Sequence, residues 1–515
     1  MVKTFHFSAK LLAFALVFVL LSCAKGVDEE SFDRLVTNSQ LSSPDIEKFV
    51  VTSQTNADGT ESCVLEWAEV PGASRYLCEV NIVDDPANPV SINVKGKAQE
   101  GVGPIEIDGT RIIFDKKEDT KYEVKIKTLG DKKLNNTDAA EPTVFAYSTM
   151  LAAIAVPAGE EISAFINNYI TTNYETLKAE YDKDPANYEL AFELENGQTY
   201  ELNDSVGFDV FPVTFRGSKA TRPIVNVGEN GRIVTQAGIK IKWINFDCTN
   251  MKAKGLLVTS DVADEAFSTE SLGYKALGAN QNCYVIVRTM MFQECFVKNL
   301  ANGLLYGGDA GAVWSIKDFR ITDCIIQQCN ATGSSNCLIN MWRSTASAEG
   351  IKDFTFKNTT FINTEKSNGY FMRFAHSGSS LPQKVYGTGE KCNFTFQNCT
   401  LIQTTTGGNF ANMIPNNANQ MTITMKSNIF YDTWRIQKFV QNNTADFAVN
   451  DNTIWGITNA VDNTDMQKFA TEEDPLFEDA TIKELDLTQP NGGYNFKPTS
   501  EIAGGKKYGD PRWFE

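Results

Sequence analysis

The sequence predicts an all-β protein in which a small N-terminal β-sandwich is followed by a right-handed, single-stranded parallel β-helix with an N-terminal capping helix. Three observations predict it. Apolar residues alternate with period two over residues 44–150, an amphipathic helical segment follows Pro157, and a short apolar motif recurs seven times between residues 239 and 454.

In chain order, residues 1–22 read as an export signal. Lys3 and Lys10 are followed by an unbroken apolar run over 11–21 that is too short to span a bilayer comfortably. The run ends in Leu20-Leu21-Ser22-Cys23, which resembles the lipobox of bacterial lipoproteins. That resemblance implies that Cys23 is diacylated, becomes the new N-terminus and anchors the protein to a membrane, since several acyl chains on one cysteine are enough for stable attachment. The acidic run Asp28-Glu29-Glu30 resembles the surface-export signal of Bacteroidetes-type lipoproteins, although an ordinary solvated tether has the same composition. The implied location is the outer membrane, facing the cell exterior. Residues 23–43 are short of apolar groups and predict a flexible tether.

Charge and residue counts exclude several functions. A formal net charge of −17 argues against nucleic acid as a partner, and an acidic glycan would need a local basic patch. Of two histidines, His6 leaves with the signal, so His376 alone remains and a zinc site built on several histidines is excluded. The eleven cysteines show no Cys-x-x-Cys spacing, so no metal site is predicted from them.

Residues 44–150 are broken into short alternating segments by Gly, Pro, Asn and Asp. In 63–67 and 76–80 the alternation places Cys63, Leu65 and Trp67 opposite Tyr76, Cys78 and Val80. Tyr122 opens a third such segment, and a last strand is expected near 144–148. With Trp67 before the turn Val70-Pro71-Gly72, the arrangement resembles a fibronectin type III module, which implies a corner role for Tyr122 and a spacer role for the domain, with a ligand-binding module as the alternative. Cys63 and Cys78 fit either a cross-core disulfide or two packed thiols.

The β-helix is expected over 158–515. Ile162, Phe165, Ile166, Tyr169, Ile170 and Leu177 recur at helical spacing, so one helix face needs something to cover. Strand segments at 198–202, 213–217 and 223–225 follow, and they resemble the opening coil of pectin-lyase-like β-helices. A helix just before that coil would shield its unpaired strand edges.

The seven repeats align on Ile239, Val285, Phe319, Phe354, Phe394, Ile423 and Phe447, with further apolar residues two and seven positions on. A two-residue strand step, a turn and a resumed strand describe a β-helix coil rather than a helical repeat. One polar slot holds Thr289, Asp323, Asn358, Asn398, Ser427 and Asp451, and the next holds Met290, Cys324, Thr359, Cys399, Asn428 and Asn452. Ten positions after the start come Thr249, Cys295, Cys329, Thr364, Thr404 and Thr433, so these cysteines read as small buried thiols. The tail, with Asp474-Pro475-Leu476-Phe477 and Gly509-Asp510-Pro511-Arg512-Trp513, resembles that of uncharacterised β-helical lipoproteins found with bacterial polysaccharide-utilisation systems. The resemblance implies a polysaccharide as partner, alongside other surface glycan-uptake proteins.

Three insertions follow equivalent strands, at 338–343, 369–374 and 409–414. They nominate Trp342, Arg343, Tyr370, Arg373 and His376 as ligand-binding candidates, because an aromatic ring stacks on a sugar and arginine pairs a uronate carboxylate bidentately. The same residues also fit ordinary strand and loop packing. Pectate-type lyases need calcium held by grouped acids, whereas Asp323 and Asp451 sit in the polar stack and Asp309, Asp432 and Asp446 lie on separate loops. A glycoside hydrolase needs paired carboxylates, and no Asp-Asp pair on adjacent equivalent coils is evident. The expectation is therefore recognition of a polysaccharide, a uronate-rich pectin-like glycan included. The alternative is a lyase or glycoside hydrolase acting on the same class, with calcium as a cofactor only in the lyase case.

Overall fold

A computed structural model describes residues 39–515 apart from 276–282, 308–310, 330–336, 343–348, 366–368, 375–380, 406–409, 413–420, 434–435, 437–443, 446–450 and 457–468. Two compact units divide the chain at residue 149, with 84–87 outside the first. Cys23, Arg343, His376, Asp309, Asp446 and Phe447 lie outside the described residues.

The first unit contains two five-stranded antiparallel sheets. Val50–Thr55, Glu61–Glu66 and Arg111–Asp115 pair in one; Thr143–Ser148, Lys121–Leu129 and Arg75–Ile82 pair in the other. Their inward faces bring Cys63, Leu65 and Trp67 into one buried cluster with Tyr76, Cys78 and Val80, as the alternation predicts. The Trp67 and Tyr76 rings meet edge to face at 5.3 Å. Tyr122 is buried, accepts from the Lys117 amide at 2.8 Å and donates back to the Asp115 carbonyl at 3.1 Å, tying the strand start to the preceding turn. Cys63 and Cys78 are both free thiols. Ser39–Gln40, placed by sequence in the tether, pairs in parallel with Asn136–Thr137.

The second unit is built on three long parallel sheets, and each turn of the chain adds one strand to each, as in a parallel β-helix. The first sheet runs from Ile154–Val156 to Thr444–Ala445, the second from Thr199–Leu202 to Thr471–Glu472, and the third from Ser205–Phe208 to Ala411–Asn412. Side chains of like character stack in register. Ile241, Phe292, Ile321, Phe356, Phe396 and Met425 form one buried column of the first sheet. Phe246, Val297, Ile326, Phe361, Leu401 and Phe430 form one in the second. Each buried Phe, Ile or Leu contributes about 1.5–3 kcal/mol by leaving water.

The registers correct one repeat. The partner of Phe319 is Met290, so the second copy begins there and not at Val285. Val285 belongs to Tyr284–Ile286, which pairs with the front of the same long strand, Trp314–Thr322. The shift moves Glu294, not Thr289, into the slot of Asp323, and it moves Cys295, not Met290, beside Cys324. It also takes Cys295 out of the slot it was assigned with Thr249 and Cys329. At the last repeat, the backbone partner of Ile423 is Ala445.

The polar slot is a left-handed turn. Trp243, Glu294, Asp323, Asn358, Asn398 and Ser427 all have φ between 48° and 57°. Asn and Asp tolerate this conformation better than most residues, which explains their recurrence there. Asn358 donates to Asp323 at 3.0 Å and Asn398 donates to Asn358 at 3.1 Å, linking successive turns.

The helix Ile162–Lys183 covers the open end of the stack. Ile162 and Ile166 are fully buried, and Asn167 donates to the Ser205 carbonyl while accepting from the Gly207 amide, which satisfies backbone groups at the sheet edge. At the far end of the chain, Phe477–Asp479 pairs with Asn495–Pro498, and the segment folds back over the outer face of the second sheet. Leu485, Tyr494, Phe496 and Trp513 cover Phe296, Ile325, Ile362 and Ile402. This cover is why the second-sheet strands carry apolar residues on both faces. Among the described residues no helix is long and apolar enough to cross a membrane.

Candidate functional site

Two outer faces of the β-helix carry chemistry. On the third sheet, Tyr306, Asn340, Arg373 and Asn412 are consecutive register partners. Their neighbours Leu305, Ile339 and Met372 are buried in the core, so alternation turns this column outward. The Arg373 guanidinium lies 3.8 Å from the Trp342 ring centre and 5.6 Å from that of Tyr370. The structure thus brings together three of the five sequence candidates. The Trp342 face that meets Arg373 is closed to a sugar ring. Its indole Nε1 is buried without an acceptor among the described residues, while its backbone amide donates to Asn340 at 3.2 Å.

Of the acids named from sequence, the described ones, Asp323, Asp432 and Asp451, have separate roles. Asp323 belongs to the turn ladder, where burial pushes its carboxyl up against the opposing effect of the Asn358 hydrogen bond. Asp432 has a left-handed backbone, and Asp451 accepts from Tyr508 at 3.1 Å. Among the described residues no group of three or more His, Cys, Asp or Glu is placed to hold a metal ion.

The second face was missed from sequence. Asp318 and Asp353 are register partners on adjacent coils of the first sheet, followed by Asn393. This overturns the expectation that no such pair exists. Its signal was present: each aspartate immediately precedes an aligned repeat start, Phe319 or Phe354. Asp318 accepts from Thr289 at 2.7 Å and from Arg320 through Nε at 3.1 Å and Nη2 at 2.8 Å. Asp353 accepts from Asn393 at 2.7 Å and lies 3.8 Å from Lys352.

Asp318, Asp353, Thr289 and Arg320 line a groove of about 590 Å³ with Val287, Lys317, Thr322 and Lys357, and a second cavity of about 270 Å³ shares Val287 and Thr289 with it. A bulge makes the shared wall. Three residues separate the pairing positions Ile286 and Met290, against two between their partners Ile316 and Phe319, so 287–289 kink out of the sheet. Gly238 permits this approach: its φ is +100°, and a Cβ there would stand 2.6 Å from that of Arg288. Arg288 is pinned by the carbonyls of Pro185 and Tyr188. Across both cavities, Lys240, Arg288, Lys317, Arg320 and Lys357 face Glu189, Asp318 and Asp353, giving a cationic excess in a chain of net charge −17. Lys240 pairs with Glu189 at 2.7 Å, whereas Lys317 and Lys357 make no salt bridge among the described residues. A third cavity, of about 520 Å³ between the second sheet and the tail, has an acidic excess, and its one lysine, Lys298, pairs with both Asp247 and Glu484.

A family model described as a domain of unknown function (DUF4992) matches residues 5–197, and a second domain of unknown function (DUF4957) matches 198–364. The boundary between these matches falls in the first coil, between Leu190–Leu194 and Thr199–Leu202, rather than between the two compact units. No curated protein matches. Among solved structures, a family 28 exopolygalacturonase from Yersinia enterocolitica is similar at 11% identity over 82% of this chain and 88% of that one, with a TM-score of 0.17. At that score the likeness carries no argument about activity.

Proposed function

We propose that the protein is a lipid-anchored surface protein that recognises a polysaccharide along the outer face of its first parallel sheet. One observation carries this reading: the two adjoining cavities, with their joint cationic excess, supply the local basic patch that an acidic chain needs to bind an anionic glycan. The two cavities draw residues from or directly beside six successive strands of the first sheet, which at about 4.8 Å per coil is a length of about 24 Å, enough for several sugar rings. Lys317 and Lys357 are available to carboxylates of a uronate-rich, pectin-like chain, and the Trp342, Tyr370 and Arg373 strip is a separate contact face. Anchoring at Cys23, an outer-membrane position facing the exterior, and work beside other surface glycan-uptake proteins complete the reading. In it the N-terminal unit is a fibronectin type III-like spacer, supported by the return bond of Tyr122 to its upstream backbone. Affinity electrophoresis against uronate and neutral polysaccharides, with chain length measured afterwards, tests it. Retention by uronate chains without shortening is expected, and equal mobility in every gel would overturn it.

Cleavage is the second reading, favoured by the in-register Asp318 and Asp353. New reducing ends from a glycan, lost in Asp353→Asn, would establish a hydrolase. Ultraviolet-absorbing unsaturated ends that depend on added calcium would establish a lyase.

A further inference from the structure

We propose that Cys295 and Cys324 form a disulfide that staples two neighbouring coils. Both side chains point into the same interior slot, one turn apart. The residues two positions before them and one after are register partners, Gln293 with Thr322 and Phe296 with Ile325. Coil spacing therefore sets their Cα atoms about 4.8 Å apart, inside the roughly 4.4–6.8 Å that a disulfide spans. The Cys295 amide donates to the Cys324 sulfur at 3.5 Å.

The rest of the slot shows what this pair replaces. The Cys324 amide donates to Thr359 Oγ1 at 3.2 Å, the Cys399 amide to Asn428 Oδ1 at 2.9 Å, and the Asn428 amide to Asn452 Oδ1 at 3.1 Å. Each of these three steps is closed by a side-chain acceptor from the next coil. Cys295 and Cys324 are the two thiols on neighbouring steps, since Thr359 separates Cys324 from Cys399.

The oxidant is a disulfide, either glutathione disulfide or that of a thiol oxidoreductase. One of the two cysteine thiolates attacks one of its sulfurs and releases the first thiol. The other cysteine then displaces the second, forming the Cys295–Cys324 bond, and the two protons leave on the departing thiols. Both sulfurs are fully buried, so exchange precedes closure of these coils during folding. The export reading supplies the oxidising compartment, and the inference rests on it to that extent.

Mass spectrometry tests it on the full chain in two forms, each acid-quenched and alkylated without reductant. One form is exported by its own N-terminal segment. The other is made in a reducing cytosol and refolded with glutathione and its disulfide. A peptide pair joining Cys295 to Cys324 in both, with the partner thiol freed in Cys295→Ser and Cys324→Ser, is the expected result. The cross-link in the refolded form alone upholds the pair and overturns the export reading. Free thiols in both forms, or a cross-link to Cys399 instead, overturns the inference whether or not the serine variants fold.

Discussion

The Arg373 guanidinium stacks on the Trp342 ring, 3.8 Å from its centre, because Asn340 and Arg373 are register partners and Trp342 follows Asn340 by two residues. Such a contact stabilises by about 0.5–2 kcal/mol, depending on its exposure. Arg373→Ala is therefore expected to lower the unfolding free energy by about 1 kcal/mol. Loss of the cation beside the ring should also shift the indole emission. Denaturation followed by tryptophan fluorescence checks both, and an unchanged spectrum and midpoint would count against the stack.

The groove makes a different demand. Lys317 and Lys357 make no salt bridge among the described residues, so removing them should affect binding more than folding. The double change to alanine is expected to weaken retention on a uronate polymer by about tenfold, or about 1.4 kcal/mol. The melting temperature should stay within a few degrees. Retention of the parent should also fall as salt rises from 50 to 300 mM, whereas binding indifferent to both changes would place the ligand elsewhere.

Most of the coil architecture was legible in the sequence because stacking forces like residues into like slots. Phe319, Phe354, Phe394 and Ile423 were aligned with their true partners. Val285 was not, since Val285, Val287 and Phe292 satisfy the same spacing as Met290, Phe292 and Val297. Strand alternation by itself cannot choose between two apolar sets sharing a residue. The strip around Arg373 was accessible for the same reason as the coils: neighbouring coils juxtapose equivalent insertions. The Asp318 and Asp353 pair lay one position outside the apolar template. The groove wall was not legible, because it depends on one extra residue at 287–289 and on the absence of a side chain at Gly238. Nor was the folded-back tail, whose contacts with Phe296 and Ile325 cross more than 150 residues of sequence.

Gly238→Ala tests that wall. A methyl group at φ +100° and 2.6 Å from the Arg288 Cβ must move either backbone, at a cost of about 1–3 kcal/mol. The expected outcome is a lower melting temperature together with weaker glycan retention. Gly109→Ala, which has a similar φ of +90° but nothing within 4 Å of the added Cβ, should lower stability without touching retention. Equal loss of retention in both variants would separate the groove from the wall.

Asp510 ties the tail to the β-helix and should make that attachment depend on pH. Its side chain is 1% exposed, accepts from Thr360 at 2.9 Å and from Arg512 at 2.7 Å, and its amide donates to Thr400 at 3.0 Å. Burial pushes its carboxyl up to about 6 from 3.8, against the pull of Arg512 and the hydrogen bonds. A carboxyl raised in the folded state holds its proton more tightly there than in the unfolded chain, so this group's contribution to stability falls as pH rises. The loss begins near 3.8 and is complete just above 6, and it amounts to about 3 kcal/mol in order of magnitude. Other carboxylates titrate over the same range, so the measurable quantity is a difference. The melting temperature of the parent, less that of Asp510→Asn, should drop between pH 4 and pH 7 and then level off. A difference that stays flat, or that rises with pH, would mean that Arg512 outweighs burial and that Asp510 is held ionised at this site.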